Sequence, residues 1–186
     1  MKRPRGRPPR SKAAVSPEDM LATALDLLDA RGVDAFTMRA LAERLQINPM
    51  TIYHHFGDRD GLIRAMSERV YGTVCAPQTG TPRDRIAALM RAYHAQVLRH
   101  PGLTLLLFSR RTVFPEQARR ITESIARLLV EAGLTAQQSR LWVHILVDFT
   151  HGAAVATAMG ARDGPVPADG YDDALDELLN GLEGRQ

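Results

Sequence analysis

The chain has 186 residues, a net charge of +3, a hydrophobic fraction of 45% and an aromatic fraction of 5%. This length can bury a core unaided, and the single cysteine, Cys75, excludes an internal disulfide. We therefore expect a cytoplasmic protein in which Cys75 is a small buried residue rather than a reactive thiol. The apolar stretch 141–160 is interrupted by polar side chains, so no contact with a membrane is expected.

Residues 1–15 form a basic, proline-rich arm without helical periodicity. Six Lys or Arg and no acid occur within residues 1–12, so the remaining residues carry a net charge of −3. This composition predicts a segment that is disordered on its own. Its core, Pro4-Arg5-Gly6-Arg7-Pro8, resembles an AT-hook, in which Arg5 and Arg7 enter an A/T-rich minor groove. A nonspecific arm that contacts phosphates is the open alternative.

The first helix is predicted from Ser16-Pro17-Glu18-Asp19, which offers a cap, a proline for the first turn and acids for the helix dipole. Gly32 is expected to end it. The spacing of its apolar residues predicts one buried face, formed by Met20, Leu21, Ala24, Leu25, Leu27 and Leu28. This helix carries no chemistry of its own, so we interpret it as a support for the helices that come after it in the chain.

Residues 37–56 are predicted to form two short helices joined by a tight turn. Thr37 should cap the first helix, up to Leu45, and Asn48-Pro49 should start the second, which ends by Gly57. Ile47, Ile52 and Phe56 are expected to face the core. The second helix is too short to be stable alone, so its polar and aromatic outer face suggests insertion into the DNA major groove. An ordinary surface helix remains the alternative.

Three segments together resemble the DNA-binding domain of the TetR family of transcription regulators. They are Thr37-x-Arg39-x-Leu41-Ala42, the run from Asn48 to Phe56, and Asp58-Arg59-x-x-Leu62. The resemblance implies an all-α fold with a three-helix, helix-turn-helix DNA-binding domain, residues 16–76 with the motif at 37–56. A helical ligand-binding and dimerisation domain, residues 83–186, would follow it.

The same resemblance implies a function. Family members are homodimers rather than enzymes, and most are repressors that bind a pseudopalindromic double-stranded DNA operator in the bacterial cytoplasm, at the nucleoid. A small-molecule inducer releases them, and no cofactor or metal is expected. Two alternatives remain open, namely an activator of the same family and an architectural DNA-binding protein that relies on the basic arm.

The family's DNA contacts map onto matching positions of this chain. By resemblance, Thr37 caps its helix at a phosphate and Arg39 reaches a phosphate or a base. Met50 and Thr51 approach thymine methyl groups, and Tyr53 contacts phosphate. The full set of expected DNA contacts is Thr37, Arg39, Pro49, Met50, Thr51, Tyr53, His54, His55 and Arg59, with Arg5 and Arg7 in the arm. Arg59 stands where many members have lysine, and Gly61 is expected to loosen the first turn of the next helix.

Beyond the break at residues 77–82, periodicity predicts helices at 83–100, 115–132, 136–159 and 172–182, with a short apolar segment at 103–108. The helix around Trp142 is apolar nearly all round, which predicts burial on several sides. With the leucine-rich last helix it resembles the family's dimer interface, so we expect a homodimer through the last two helices. Burial within one subunit is the alternative.

His144, Asp148 and His151 fall on one face of this apolar helix, at spacings of four and three. Because buried polar groups need partners, they are candidates to line an inducer cavity. Tyr93, His94, Phe108 and Trp142 are the expected neighbours. A structural or interface role for the three residues, or a metal site, remains open.

Deletion of residues 1–12 tests the role of the arm. A regulator that reads its operator with helices should keep its sequence preference at reduced affinity. Loss of six positive charges should lower the slope of log affinity against log salt by up to about 5. Fluorescence anisotropy with a selected duplex and a scrambled duplex measures both. Loss of most binding to both duplexes would instead support the architectural alternative.

Overall fold

The computed structural model describes residues 15–109, 115–160 and 170–183, and within these ranges every regular element is an α-helix. The predicted all-α fold is thereby confirmed. The basic arm and the loop before the last helix lie outside the described residues. The helices are α1 Pro17–Ala35, α2 Met38–Leu45, α3 Pro49–Phe56, α4 Arg59–Tyr71, α5 Pro82–Arg99, α6 Pro101–Ser109, α7 Glu116–Glu131, α8 Ala136–Gly160 and α9 Gly170–Glu183.

Helix α1 begins as its sequence predicts. The Ser16 hydroxyl accepts a hydrogen bond from the Asp19 amide at 3.1 Å, and the Asp19 carboxylate accepts one from the Ser16 amide at 3.2 Å. All six residues of the predicted apolar face are buried. Gly32, at φ 75°, interrupts the helical geometry, and one further turn extends to Ala35. It therefore kinks α1 rather than ending it.

Helices α1 to α4 form an N-terminal bundle around one core. Ile52 of α3 and Leu41 of α2 are fully buried, while Ile47 and Phe56 are partly buried against the same core. Met20, Ala24, Leu28, Leu62, Ile63 and Met66 are also fully buried in this bundle. The short helices α2 and α3 are therefore held mainly by packing on α1 and α4 rather than by their own hydrogen bonds.

Helix α5 is the centre of the C-terminal half, where it contacts α7, α8 and α9. Its inner face is fully buried, as are Leu146 on α8 and Leu175 and Leu179 on α9. Helix α8 was expected to be buried on several sides, but one of its faces is exposed because α5 and α7 cover only the other side. This exposed stripe consists of Leu141, His144, Asp148, Gly152 and Ala156.

The two halves meet where α6 lies across α1. A Cβ atom added at Gly102 would lie 3.1 Å from Leu28 Cγ and 3.2 Å from the Leu28 carbonyl oxygen. His100 Nδ1 lies 2.7 Å from an oxygen of Asp29 on α1. Helix α5 ends at Arg99, and Pro101 and Gly102 start α6 almost directly after it. The junction is thus a tight contact between helix backbones.

Cys75 is exposed, so the prediction that it is buried is wrong. It lies between α4 and α5, where the neighbouring Val74 turns inward and is buried in its place. No helix within the described ranges combines the length and hydropathy that crossing a membrane requires.

Replacement of Gly102 by alanine tests the junction. The added methyl group meets backbone and side-chain atoms of Leu28 that cannot both retreat, so we expect a loss of about 1–3 kcal/mol in the free energy of unfolding. Urea unfolding measures it. The matched control is Gly181→Ala on α9, where nothing lies within 4 Å of the added Cβ, and there stability should hold or rise slightly. Equal behaviour of the two variants would contradict the tight junction.

Candidate nucleic-acid interface and sensor site

Helices α2 and α3 are each fixed by a side-chain cap. The Thr37 hydroxyl accepts a hydrogen bond from the Ala40 amide at 3.0 Å, and the Asn48 side-chain oxygen accepts one from the Met50 amide at 2.9 Å. Gln46 makes the turn between them in the left-handed conformation, with φ 56°. These local bonds define where α3 begins and direct its first turn outward.

The outer face of α3 is exposed while its inner face is anchored. Ile52 is fully buried, whereas Met50 is 67% and Tyr53 40% exposed. His54 and His55 are exposed with their rings edge to face at 5.5 Å, Pro49 is exposed, and Thr51 is half-buried. The residues expected to meet DNA on α3 are thus available to a partner, with Thr51 closest to the core.

The charged candidates outside α3 differ in their surroundings. The Arg39 side chain is 86% exposed and pairs with Glu43 one turn along α2, at 3.0 Å. Arg59 is half-buried, and its guanidinium carbon lies 5.8 Å from the centre of the Phe36 ring. This ring contact leaves its predicted phosphate contact untested, so that contact stays a prediction. Arg5 and Arg7 lie outside the described residues.

The corner between α3 and α4 requires a glycine. The Asp58 carboxylate caps α4 by accepting a hydrogen bond from the Gly61 amide at 2.6 Å. A Cβ atom at Gly61 would overlap the carbonyl oxygen of Phe56, the last residue of α3. The expectation that Gly61 loosens α4 is therefore wrong. Its missing side chain lets the end of α3 press against the first turn of α4.

In the C-terminal half, four helices meet at a cluster of rings. Tyr93 of α5 and His151 of α8 are joined by a hydrogen bond of 2.6 Å between the hydroxyl and Nε2. Phe108 of α6 stands edge-on to His151 at 4.8 Å, and Tyr71 of α4 lies 5.5 Å from Tyr93. We call Tyr71, Tyr93, Phe108 and His151 the ring cluster. Three of its members were predicted as neighbours, while Tyr71 was not.

His94 belongs to a separate stack beside the ring cluster. Its ring lies parallel to Tyr171 of α9 at 3.7 Å, and Phe149 of α8 lies 5.3 Å from the same tyrosine. The Tyr171 hydroxyl shares a 2.9 Å hydrogen bond with Thr150. Sequence reasoning missed Tyr71, Thr104, Thr150 and Tyr171. Their only signal is a hydroxyl placed on an otherwise apolar helix face.

The remaining predicted sensor residues do not join the ring cluster. His144 and Asp148 are exposed on the stripe of α8, and Trp142 is half-buried. His144 borders a cleft of about 410 Å³ between α7 and α8, lined largely by Ala126, Val143 and Val147. In the parts of the chain that the structure describes, no three His, Cys, Asp or Glu side chains are grouped as a metal site would require.

Burial keeps the rings of this region uncharged. It lowers the pKa of His151 and of His94, which a nearby carboxylate, Asp148 or Asp172, offsets only in part. Burial also raises the pKa of Tyr171 to about 12 and that of Tyr93 further. At neutral pH the region therefore offers hydrogen-bonding groups rather than charges.

These shifts predict how stability depends on pH. A histidine whose pKa falls on folding contributes stability above its unfolded pKa, near 6.5, and that contribution is lost as the pH decreases below it. The free energy of unfolding should therefore decrease from about pH 7 to pH 5. Urea titrations followed by Trp142 fluorescence measure it. The His151→Phe variant, which keeps a ring, should show a shallower dependence, and an unchanged slope would contradict a buried neutral His151.

Both halves of the chain match a family model. Residues 20–66 match the model described as bacterial regulatory proteins of the tetR family. Residues 75–182 match that of the tetracyclin repressor-like C-terminal domain. The first match contains α2 and α3, and the second contains α5, α6 and α8, which carry Tyr93, Phe108 and His151 of the ring cluster.

Known relatives agree with these matches. An HTH-type transcriptional regulator of Saccharopolyspora erythraea is 31% identical over 67% of this chain and 53% of its own length. The class A tetracycline repressor protein of transposon 1721, from Escherichia coli, is 27% identical over 80% of this chain and 70% of its own length. The chain thus spans about half the length of the first relative.

The fold is shared with a solved protein–DNA complex. The structure of BioQ with its natural double-stranded DNA operator has a TM-score of 0.73 and 23% sequence identity, and the match covers 90% of this chain and 98% of that one. At this identity the likeness establishes the fold alone. Taken with the two family models, which cover both halves, it shows that this chain belongs to the TetR family of bacterial transcription regulators.

Proposed function

We propose that the chain is a homodimeric repressor that binds a pseudopalindromic operator through α3 and leaves it when a small molecule binds the C-terminal half. The observation that carries the proposal is the architecture of α3. It is an eight-residue helix, capped by Asn48 and anchored by buried Ile52, whose outer face is exposed. A short helix presented in this way fits the major groove.

Each exposed residue of α3 has a contact suited to its chemistry. Met50 and the methyl group of Thr51 approach thymine methyl groups and contribute sequence preference, while Tyr53 and His55 donate to phosphates. His54 reaches a base or a phosphate. Arg39 can exchange its exposed ion pair with Glu43 for a phosphate at little cost, since such pairs contribute little stability. The basic arm adds affinity in an adjacent groove.

The exposed stripe of α8 supports the homodimer. Leu141 is 59% exposed, and Gly152 and Ala156 on the same stripe would let a second helix approach closely. We propose that α8 and α9 of two copies pack together there. His144 and Asp148 would then lie at the subunit interface, which accords with the structural alternative for these residues. The dimer sets the separation of two α3 helices at about 35 Å, one turn of DNA.

The ring cluster supports release by a ligand, because it touches α4 directly. His151 is bonded to Tyr93, the Tyr93 ring contacts Tyr71, and the Tyr71 hydroxyl lies 3.2 Å from the Thr104 hydroxyl on α6. Helix α4 continues from α3 through the corner at Gly61. A molecule that displaces a ring therefore shifts α4 and changes the spacing of the two α3 helices, which lowers operator affinity.

The relatives add to this proposal in two ways. One is named a tetracycline repressor, and one structure of the shared fold holds its operator. We infer that this chain likewise binds a double-stranded DNA operator, and does so in the cytoplasm. We expect its operator sequence and its ligand to differ from those of the relatives, since the α3 face and the ring cluster consist of side chains particular to this chain.

Selection of bound duplexes from a random DNA pool tests the proposal. We expect a pseudopalindrome whose half-sites are centred about 10 base pairs, one turn of DNA, apart. Met50→Ala should relax preference at one position of each half-site by about 1 kcal/mol, the size of an apolar contact with a thymine methyl group. Tyr53→Phe should instead weaken binding evenly across sequences.

The matched control is Tyr171→Phe, the same substitution in the C-terminal half and away from α3, which should leave operator affinity unchanged. Analytical ultracentrifugation with the selected duplex should give two chains per duplex. An enriched pool without twofold symmetry, or with one chain per duplex, would contradict the proposal.

A further inference from the structure

Only one of the two ring nitrogens of His151 has a hydrogen-bond partner. Its Nε2 shares the 2.6 Å hydrogen bond with the Tyr93 hydroxyl, while its Nδ1 is buried and has no hydrogen-bond partner. A buried polar atom without a partner loses the hydrogen bonds that water would give it. Such an atom beside a proposed sensor cluster is open to a partner from outside the chain.

The hydrogen bond to Tyr93 determines what that partner must be. The burial that lowers the pKa of His151 leaves the ring neutral, so only one of its nitrogens carries a proton. If Nε2 carried it, the Tyr93 proton would have no acceptor and Nδ1 would also be unsatisfied. If Tyr93 donates to Nε2, only the Nδ1 proton lacks a partner. The arrangement with fewer unsatisfied groups makes Nδ1–H a donor.

The surrounding charges limit the ligand further. Asp148 is the carboxylate whose charge acts on His151, and it would repel an anionic ligand. A cationic group such as an ammonium cannot accept a hydrogen bond from Nδ1–H. The rings of Tyr93 and Phe108 lie against His151, with centroids at 5.5 Å and 4.8 Å from its own. An uncharged oxygen acceptor on an apolar body fits both constraints.

We propose that the inducer is an uncharged, ring-bearing molecule whose carbonyl oxygen accepts a hydrogen bond from His151 Nδ1–H. This inference rests on the proposed function and specifies the chemistry of its ligand. Phe108, 58% exposed and edge-on to His151, is the ring that the ligand displaces. Because Phe108 lies on α6, its displacement acts on the helix whose Thr104 meets Tyr71.

The protonation of His151 is the first test. Long-range ¹⁵N–¹H NMR of histidine rings distinguishes Nδ1–H from Nε2–H, and the His151 signals are identified by their absence in His151→Phe. We expect Nδ1–H in the free wild-type protein. Tyr93→Phe removes the donor that holds this form and should shift the ring toward Nε2–H. The matched Tyr171→Phe control should leave the His151 signals unchanged. An Nε2–H ring in the wild type overturns the proposal.

The second test uses three probes of one shape: 2-acetylnaphthalene, 2-ethylnaphthalene and 2-naphthoate. The ketone should bind about tenfold more tightly than the hydrocarbon, the worth of satisfying one buried donor. The ketone should also bind more tightly than the carboxylate, and its binding should shift the NMR signal of His151 Nδ1–H. In His151→Phe the ketone should lose its advantage over the hydrocarbon. Equal binding of ketone and hydrocarbon, stronger binding of the carboxylate, or no binding by any probe up to its solubility overturns the proposal.

These outcomes are separate from those that test repression. Operator release is measured by anisotropy with the same ketone. If the ketone binds at His151 and the operator stays bound, the ligand class stands and the release mechanism fails. If another molecule releases the operator without moving the His151 signals, the release mechanism stands and the assignment of His151 fails.

Discussion

Gly102 brings the backbone of α6 against Leu28 of α1, and the contacts that α6 and the preceding turn make with α1 and α4 depend on that approach. Only with α6 at this distance can His100 reach Asp29 at 2.7 Å and Thr104 reach Tyr71 at 3.2 Å. The helices that present α3 and the helices that hold the ring cluster therefore share packed surfaces. A change in one half is transmitted because packed helices shift as units rather than deform locally.

The polar groups of α3 and those of the ring cluster differ in their surroundings. On α3 they are exposed and hydrated, which suits a surface that exchanges water for DNA. In the ring cluster they are buried and neutral, and most of them have a hydrogen-bond partner. His151 Nδ1 is buried without one. Buried networks of this kind favour one arrangement, so an added partner at the unpaired atom shifts the balance between arrangements.

The sequence predicted most of the DNA-binding half, because its signals are local. Thr37, Asn48 and Pro49 mark the starts of α2 and α3, and their caps form as expected. Gly61 was misinterpreted because the Phe56 carbonyl oxygen that excludes a side chain there is brought close only by the fold. In the sensor half, periodicity placed His144, Asp148 and His151 on one face. Periodicity could not show that α5 and α6 cover only the His151 end of that face. It also could not show that Tyr71 of α4 belongs to the ring cluster.

The central claim, that both halves share one packed body, is tested most directly by unfolding the full chain with two reporters. Trp142, the only tryptophan, reports on the C-terminal half, and the NMR signals of His54 and His55 report on α3. At one fixed protein concentration the account predicts that both reporters change with the same urea midpoint and the same slope. If the His54 and His55 signals reached their unfolded positions at lower urea while Trp142 fluorescence stayed native, the two halves would be independent and the account would be contradicted.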